Sequence, residues 1–287
     1  MTCPVCAGVA VRAVRIPSRR ALVRCADCRL LFDRAPAAVE MERASLTDDE
    51  WRLEERVAAR RAPHFARVLR VVRPPGRLLD VGTGVGRMLT LAREAGWQAT
   101  GVDIDPAVVA YARARGLDVR CGALPTLGLP AASFDLVTLW NVLDFVADPL
   151  ALLAECRRVL APGGRLFVRT PNTPVQRAAV GLAWTLSALG VGRPAAGCPR
   201  WFGVIHTSNF HARTLRVALV RAGFLDIRVE NSPPVGGDPY LGLGGPREQA
   251  LDLGKRVVFG AARAVALASG GRLLLGSSLE AWARRPA

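Results

Sequence analysis

Residues 78–86, Leu-Leu-Asp-Val-Gly-Thr-Gly-Val-Gly, restrict the fold of this chain more than any other stretch. An acid, Asp80, lies in an apolar run that leads straight into three alternating glycines, Gly82, Gly84 and Gly86. Pro74, Pro75 and Gly76 interrupt the chain just before, so residues 77–81 read as a short buried strand, and residues 87–95 have helical spacing. Strand, glycine turn and helix in that order make the nucleotide-binding crevice of an open α/β sheet. Backbone without a Cβ lets a ligand approach and tolerates positive φ.

The spacing also says which nucleotide fits poorly. A dinucleotide fingerprint needs G-x-G-x-x-G, but Arg87 stands where the third glycine would fall. The acid at Asp80 favours positive charge, which suits a ligand carrying an ammonium and a sulfonium better than a pyrophosphate. A second acid, Asp103, closes the next apolar run seventeen residues beyond Gly86. That is close to the ~20 residues expected for a carboxylate that binds ribose hydroxyls.

On these residues the chain resembles the class I S-adenosylmethionine-dependent methyltransferases. Asp80 to Gly86 looks like their first motif, and Gly101-Val-Asp-Ile-Asp-Pro106 like their second. The similarity continues through residues 133–140 and 153–169, including Val-Leu-Ala-Pro-Gly-Gly-Arg-Leu before the fifth strand, and covers roughly residues 60–235. The resemblance implies a Rossmann-like, doubly wound seven-stranded α/β sheet with the last strand antiparallel, and S-adenosylmethionine as cofactor. It places Asp80, Gly82, Thr83, Gly84, Gly86, Asp103, Ile104 and Trp140 around that cofactor. Ala123 stands where relatives often have an acid for the adenine amino group, so Ala123 and Leu124 are expected to hold adenine through backbone. A Rossmann-type domain for another cofactor, or a catalytically dead relative, is the competing reading.

Strand and helix patterns alternate to the C-terminus. Strands are expected over 134–140, 165–169, 226–230 and 279–284, and helices over 149–160 and 212–222. Two stretches depart from a minimal domain of this kind. Residues 172–204 contain the apolar run 178–191 around Trp184, and residues 233–276 contain 248–268, apolar but broken by Lys255, Arg256 and Arg263. Both border the carboxyl side of the sheet, where open α/β folds bind ligands. They are expected to form a helical lid over a partly hydrophobic acceptor; a dimer interface or plain packing fits the same pattern.

Before the glycine turn stand four cysteines in two pairs, Cys3-Pro-Val-Cys6 and Cys25-Ala-Asp-Cys28, eighteen residues apart. This is tetrahedral zinc spacing with every position filled by protein, so a structural zinc ribbon over residues 1–35 is expected, with strand-like arms at 9–16 and 21–24. An unmetallated cap with reduced thiols is the alternative. Glycines often found beside such cysteines are replaced by Ala7 and Arg29. Residues 25–32 resemble the ribbon that precedes the catalytic domain in many bacterial methyltransferases of antibiotic, saccharide and envelope pathways, and in zinc-ribbon ribosomal-RNA methyltransferases. Cys121, Cys156 and Cys198 are dispersed and read as core or surface residues.

Between ribbon and domain (residues 74–287) the linker 36–73 reads as two helices, 48–62 and 63–72, the second opened by Pro63. In the resembling family such helices cover the cofactor entrance; Trp51 and Phe65 read as packing groups, and His64 as an exposed helix residue.

The net charge of +15 invites a nucleic-acid partner, but all 39 basic residues except Lys255 are arginine, and they are scattered. The favoured acceptor is a small or lipid-like molecule methylated at a hydroxyl; the alternative is ribosomal RNA gripped by ribbon and arginines. No apolar run reaches the ~20 residues of a membrane span, which leaves contact with a membrane surface open, and with no apolar signal core at the N-terminus the expected compartment is the cytoplasm. Nothing in the sequence sets the oligomeric state. Methyl transfer is an in-line displacement driven by positioning, with a base for the acceptor proton. His206 is the best candidate base: it matches a histidine that the resembling family carries just before the helix preceding strand six, and its ordinary pKa of ~6.5 suits the task. Asn141, after the fourth strand, is expected to orient the acceptor through its amide, and His211 to cap the next helix.

Overall fold

The computed structural model describes residues 1–14, 21–35, 47–72, 74–189, 206–236 and 245–287. The expectations placed on residues 36–46, 190–204 and 237–244, on Cys198, on the side chain of Trp184 and on the end of the arm strand at 15–16 lie outside the described residues.

Three short strands open the chain: β1 (Val11–Ala13), β2 (Leu22–Cys25) and β3 (Leu31–Asp33). Helix α1 (Asp48–Leu69) follows, and then strand and helix alternate. They run β4 (Arg77–Val81), α2 (Arg87–Glu94), β5 (Gln98–Asp103), α3 (Pro106–Ala114), β6 (Asp118–Cys121), β7 (Phe134–Trp140), α4 (Pro149–Val159) and β8 (Leu160–Pro171). Beyond these lie α5 (Thr173–Ala188), β9 (Ser208–Asn209), α6 (Ala212–Arg221), β10 (Leu225–Asn231), α7 (Gly245–Ala268) and β11 (Ser278–Arg284).

The large sheet has the order β10-β11-β8-β7-β4-β5-β6, and β11 alone runs antiparallel to its neighbours. The seven strands and the reversed last one agree with the sequence. Leu78, Leu79, Leu136, Val137, Leu139 and Val168 are sealed from solvent, as parallel strands covered on both faces require. β8 starts earlier than expected, at Leu160, which pairs with Phe134 before a register shift. Strand order reverses between β4 and β7, so the carboxyl ends of these two strands flank the crevice where such folds take ligands.

The linker is one helix and not two. Thr47 caps α1 with a capping box to Glu50, and Pro63 sits inside the helix. Pro63 has no N–H for the carbonyl four residues back, which costs about 3 kcal/mol. Phe65, Val68 and Leu69 then bury against Met88 and Leu89 of α2. At about 1.5–3 kcal/mol for each large apolar side chain, that burial outweighs the break. It also carries His64 inward: the side chain is 7% exposed, against the expectation of a surface residue.

The N-terminal strands form a second sheet, β1-β2-β3-β9, whose fourth strand comes from far along the chain. Leu31 pairs with Asn209 and Phe32 with Ser208. Cys25, Leu30 and Phe32 share one hydrophobic core with Phe210, Leu215, Leu219 and Leu139. The ribbon is therefore welded to the α/β domain by main-chain pairing and by a common core.

Candidate active site

The crevice is built first from backbone. Gly82, Gly84 and Gly86 all have positive φ, at 69°, 54° and 78°. A Cβ on Gly82 would meet Val142 at 2.4 Å and one on Gly86 would meet Leu117 at 2.2 Å, whereas Gly84 faces open space. Close packing thus fixes the outer glycines, and the middle one leaves room for a ligand. Asp103 ends β5 beside it, accepting hydrogen bonds from the Gly84 N–H at 2.9 Å and the Asp105 N–H at 3.1 Å. Asp80 is 2% exposed and accepts from the Thr138 hydroxyl at 2.6 Å. Burial pushes its carboxyl up to about 7 despite the Thr138 and Thr83 hydroxyls. Burial raises Asp103 too, opposed by the Gly84 and Asp105 N–H groups. Two carboxylates raised by burial favour positive charge and hydroxyl donors beside them.

Around this mouth, Ile104 is 43% exposed. The Ala123 carbonyl is engaged by the Thr126 N–H and hydroxyl, both at 2.9 Å, and the Leu124 side chain is buried in the core. Trp140 is wedged between Phe65 and Phe167, each with ring centroids 4.6 Å away, and its indole N–H is buried without a hydrogen-bond partner among the described residues. Trp51 stacks on Tyr111 at 4.0 Å, which pins α1 over α3.

One strand over, the loop after β7 meets the chain just before β9. His206 Nε2 lies 3.4 Å from Asp144 Oδ2, and the imidazole rests on Phe145 with ring centroids 4.3 Å apart. Asp144 is 2% exposed, and burial pushes it up to about 7. Asn141 has a left-handed φ of 55°, its N–H donates to the Arg169 carbonyl, and its Oδ1 accepts from Arg169 Nη1 at 2.8 Å. Arg169 also donates to the Ser232 and Ser278 hydroxyls. Burial, then the charge of Arg61, lowers this guanidinium to about 10. Burial first, then the charges of Arg169, Arg67 and Arg61, hold His64 down at about 4, so it stays neutral at pH 7. His211 is the cap residue of α6, and its Nε2 contacts the Thr214 hydroxyl at 2.9 Å.

The four ribbon thiols converge. All four sulfurs lie within 4.8 Å of one another, with Cys3 and Cys28 at 3.5 Å and Cys6 and Cys25 at 3.4 Å. A tetrahedron of thiolates about 2.3 Å from zinc has edges of about 3.8 Å, so the donor set and its spacing fit that ion. Contact with Cys28 lowers Cys3 to about 5, while the same contact raises Cys28. Each pair sits on the same turn: the Ala7 N–H reaches the Cys3 carbonyl at 2.9 Å, and the Arg29 N–H reaches that of Cys25 at 3.1 Å. Ala7 and Arg29 have φ of 57° and 65°, so the turns do demand the glycine-favouring conformation, and the side chains there bear it under strain.

Comparison with known proteins places this geometry. The profile of a family described as a methyltransferase domain matches residues 52–229, more than half of the chain. The chain belongs to this methyltransferase-domain family. It is 36% identical over 142 residues to a ubiquinone biosynthesis O-methyltransferase of Xanthomonas oryzae pv. oryzae, covering 47% of this chain and 56% of that protein. The chain thus spans about half the length of this curated relative. A solved S-adenosylmethionine-dependent methyltransferase from Mesorhizobium loti has the same fold, with a TM-score of 0.53, 23% identity, and coverage of 79% of this chain and 98% of that one. Phosphoethanolamine N-methyltransferase 2 of Haemonchus contortus, solved with S-adenosyl-L-methionine, gives a TM-score of 0.56 at 17% identity, covering 84% and 58%. The methyltransferase domain carries the glycine turn and both acids in the crevice of that fold, whereas His206 meets Asp144 only through the fold's return to β9.

Two groups escaped the sequence reading. The sequence assigns no role to Asp144, just past the fourth strand of the expected sheet, or to Arg169, a strand residue. Their only signal was position: each falls at the carboxyl end of a strand of the sheet or just past it, where ligand-facing groups gather. None of the described helices is long and apolar enough to cross a membrane.

Proposed function

We propose that this methyltransferase-domain protein transfers a methyl group from S-adenosylmethionine to a hydroxyl of a small, partly apolar molecule. The observation that carries the reading is the pair His206–Asp144, 3.4 Å apart, one strand over from the Gly84 crevice at the same end of the sheet. The name of the Xanthomonas relative, a ubiquinone biosynthesis O-methyltransferase, supports an oxygen acceptor with an apolar body. Phe145 and Ile104, both 43% exposed, offer apolar contact on the two sides of the crevice.

When bound, the cofactor supplies an electrophilic methyl on a sulfonium. Asp80 holds its ammonium and Asp103 its ribose hydroxyls, while Gly84 lets the backbone close on it; Gly82, Thr83 and Gly86 shape that turn. Ile104 and the backbone of Ala123 and Leu124 face the adenine, and Trp140 floors the pocket. Asp144, with its Oδ2 3.4 Å from Nε2 of His206, favours the proton on that nitrogen, which leaves Nδ1 to take the acceptor's proton. As the bound cofactor gives up its methyl to the acceptor oxygen, His206 would take the O–H proton and Asp144 would stabilise the resulting imidazolium. With its oxygen tied to Arg169, Asn141 turns its amide NH2 towards the acceptor. α5 and α7 form the lid, and residues 1–35 act as a zinc ribbon that belongs to the folded unit.

Calorimetry with S-adenosylhomocysteine, followed by a labelled-methyl screen over phenols, quinols, lipids and RNA, tests the reading. Heat with the nucleoside and label on a hydroxyl that is lost in His206→Gln supports it. Label on RNA, with binding that falls steeply as salt is added, overturns it in favour of the nucleic-acid alternative.

A further inference from the structure

We propose that the four-cysteine ribbon, closed on zinc, positions His206 against Asp144, with Asn209 as the residue that transmits the hold. Its catalytic consequence rests on His206 being the base; its geometry does not. Asn209 is 3% exposed and its side chain is fully used. Oδ1 accepts from the His206 N–H at 3.1 Å, while Nδ2 donates to the His206 carbonyl at 2.7 Å and to the Leu31 carbonyl of β3 at 3.1 Å. One amide thus grips both backbone groups of His206 and is itself anchored on the ribbon. The Asp33 N–H adds a bond to the Thr207 carbonyl at 2.9 Å, and the Thr214 hydroxyl donates to the carbonyl of Cys28, one of the four thiol residues, at 2.8 Å. On the opposite side, the Ser208 N–H donates to the Asp144 carbonyl at 2.9 Å and its hydroxyl to the Val146 carbonyl. The short segment bearing His206 is stretched between ribbon and acceptor loop, and the His206–Asp144 distance is set by both.

The thiol end of the ribbon has little to hold it without an ion. Its strands have 3, 4 and 3 residues, its turns carry strained Ala7 and Arg29, and four clustered thiols repel as thiolates unless a cation joins them. Zinc binding therefore fixes β3, β3 fixes Asn209, and Asn209 fixes His206. The ribbon reaches the side of His206 by main-chain pairing, while the hydrogen-bond partners of Asp80 and Asp103 in the cofactor crevice, Thr138, Gly84 and Asp105, lie outside it.

The test reads position and rate separately on the full chain. The chain has three histidines, so imidazole signals of histidine-labelled protein can be assigned with His64→Gln and His211→Gln. The Phe145 ring displaces the His206 signal through its ring current, and Phe145→Leu calibrates that displacement. The comparison covers zinc-loaded protein, protein stripped by a chelator, and zinc-loaded Asn209→Ala and Asn209→Asp. We expect Asn209→Ala and stripping each to abolish the displacement of His206, with His64 unmoved and the affinity for S-adenosylhomocysteine within about twofold. Asn209→Asp, which keeps the acceptor for the His206 N–H but loses both donors, falls between. Methyl transfer drops about 10- to 100-fold in kcat with KM for the methyl donor unchanged. A His206 signal that stays in place in Asn209→Ala, or in stripped protein that still binds the nucleoside, overturns the proposal. Should stripping unfold the whole chain, seen as lost heat with the nucleoside, the Asn209 variants decide alone, because they keep all four thiols. A displaced signal with an unaltered rate sinks the base assignment and leaves the positioning standing.

Discussion

Asp80, Gly84 and Asp103 lie within one short run of chain, on two adjacent strands and the turn between them. The groups on the side of His206 come from six places: Asn141 and Asp144 after β7, Arg169 on β8, Asn209 on β9, Leu31 on the ribbon, Ser232 just past β10 and Ser278 at the start of β11. The first half is largely local: apart from the Thr138 hydroxyl on Asp80, its geometry follows from the backbone conformation of residues near one another in the chain. The second is held by contacts between residues remote in sequence, so it can be loosened from a distance. A methyl donor common to many enzymes suits the local half; an acceptor particular to each suits the assembled half.

Four experiments can break or sharpen that contrast. The largest effect is expected from the acceptor side: Asp144→Ala should cut kcat about 10^3-fold while leaving S-adenosylhomocysteine affinity within twofold by calorimetry. Next, Asp103→Ala should weaken that nucleoside about 100-fold, since two backbone N–H groups lose their acceptor and the ligand loses a carboxylate. A comparable loss of affinity in Asp144→Ala would dissolve the distinction between the halves.

The third is a pH effect on the local half. Burial raises Asp80 to about 7, so it is charged above that pH and neutral below it. Nucleoside affinity should therefore fall about tenfold per unit as pH drops below about 7, and Asp80→Asn should flatten the profile. The same raised value makes the ligand-free fold lose stability as pH climbs from about 4 to 7, because the unfolded carboxylate ionises first. Asp80→Asn should thus melt later than wild type at pH 8, by about 2 kcal/mol of stability. The smallest effect lies in the ribbon: Arg29→Gly relieves a φ of 65° and should gain about 0.5–1 kcal/mol, read as a rise of about 2 °C in Tm.

The glycine turn and the strands that flank it were legible because their signals are short-range. Alternating glycines need positive φ wherever they occur, and an acid after an apolar run marks a strand's carboxyl end. The glycine substitutions at Ala7 and Arg29 read as a departure from zinc-turn pattern, yet the backbone there is left-handed all the same, since converging thiols impose the turn. The single helix through Pro63 was not legible, because local propensity breaks a helix there while the buried face of α1 restores it. His64 changed from surface to interior for the same reason.

What the sequence by itself determined is the order of strands and helices, the glycine crevice with its two acids, and the thiol quartet, all of which depend on residues near one another in the chain. Only the tertiary structure decided that Ser208–Asn209 completes the ribbon's sheet and that Asp144 faces His206. Those pairings join positions far apart, and a side chain's environment is set by what packs against it, which no local pattern of residues specifies.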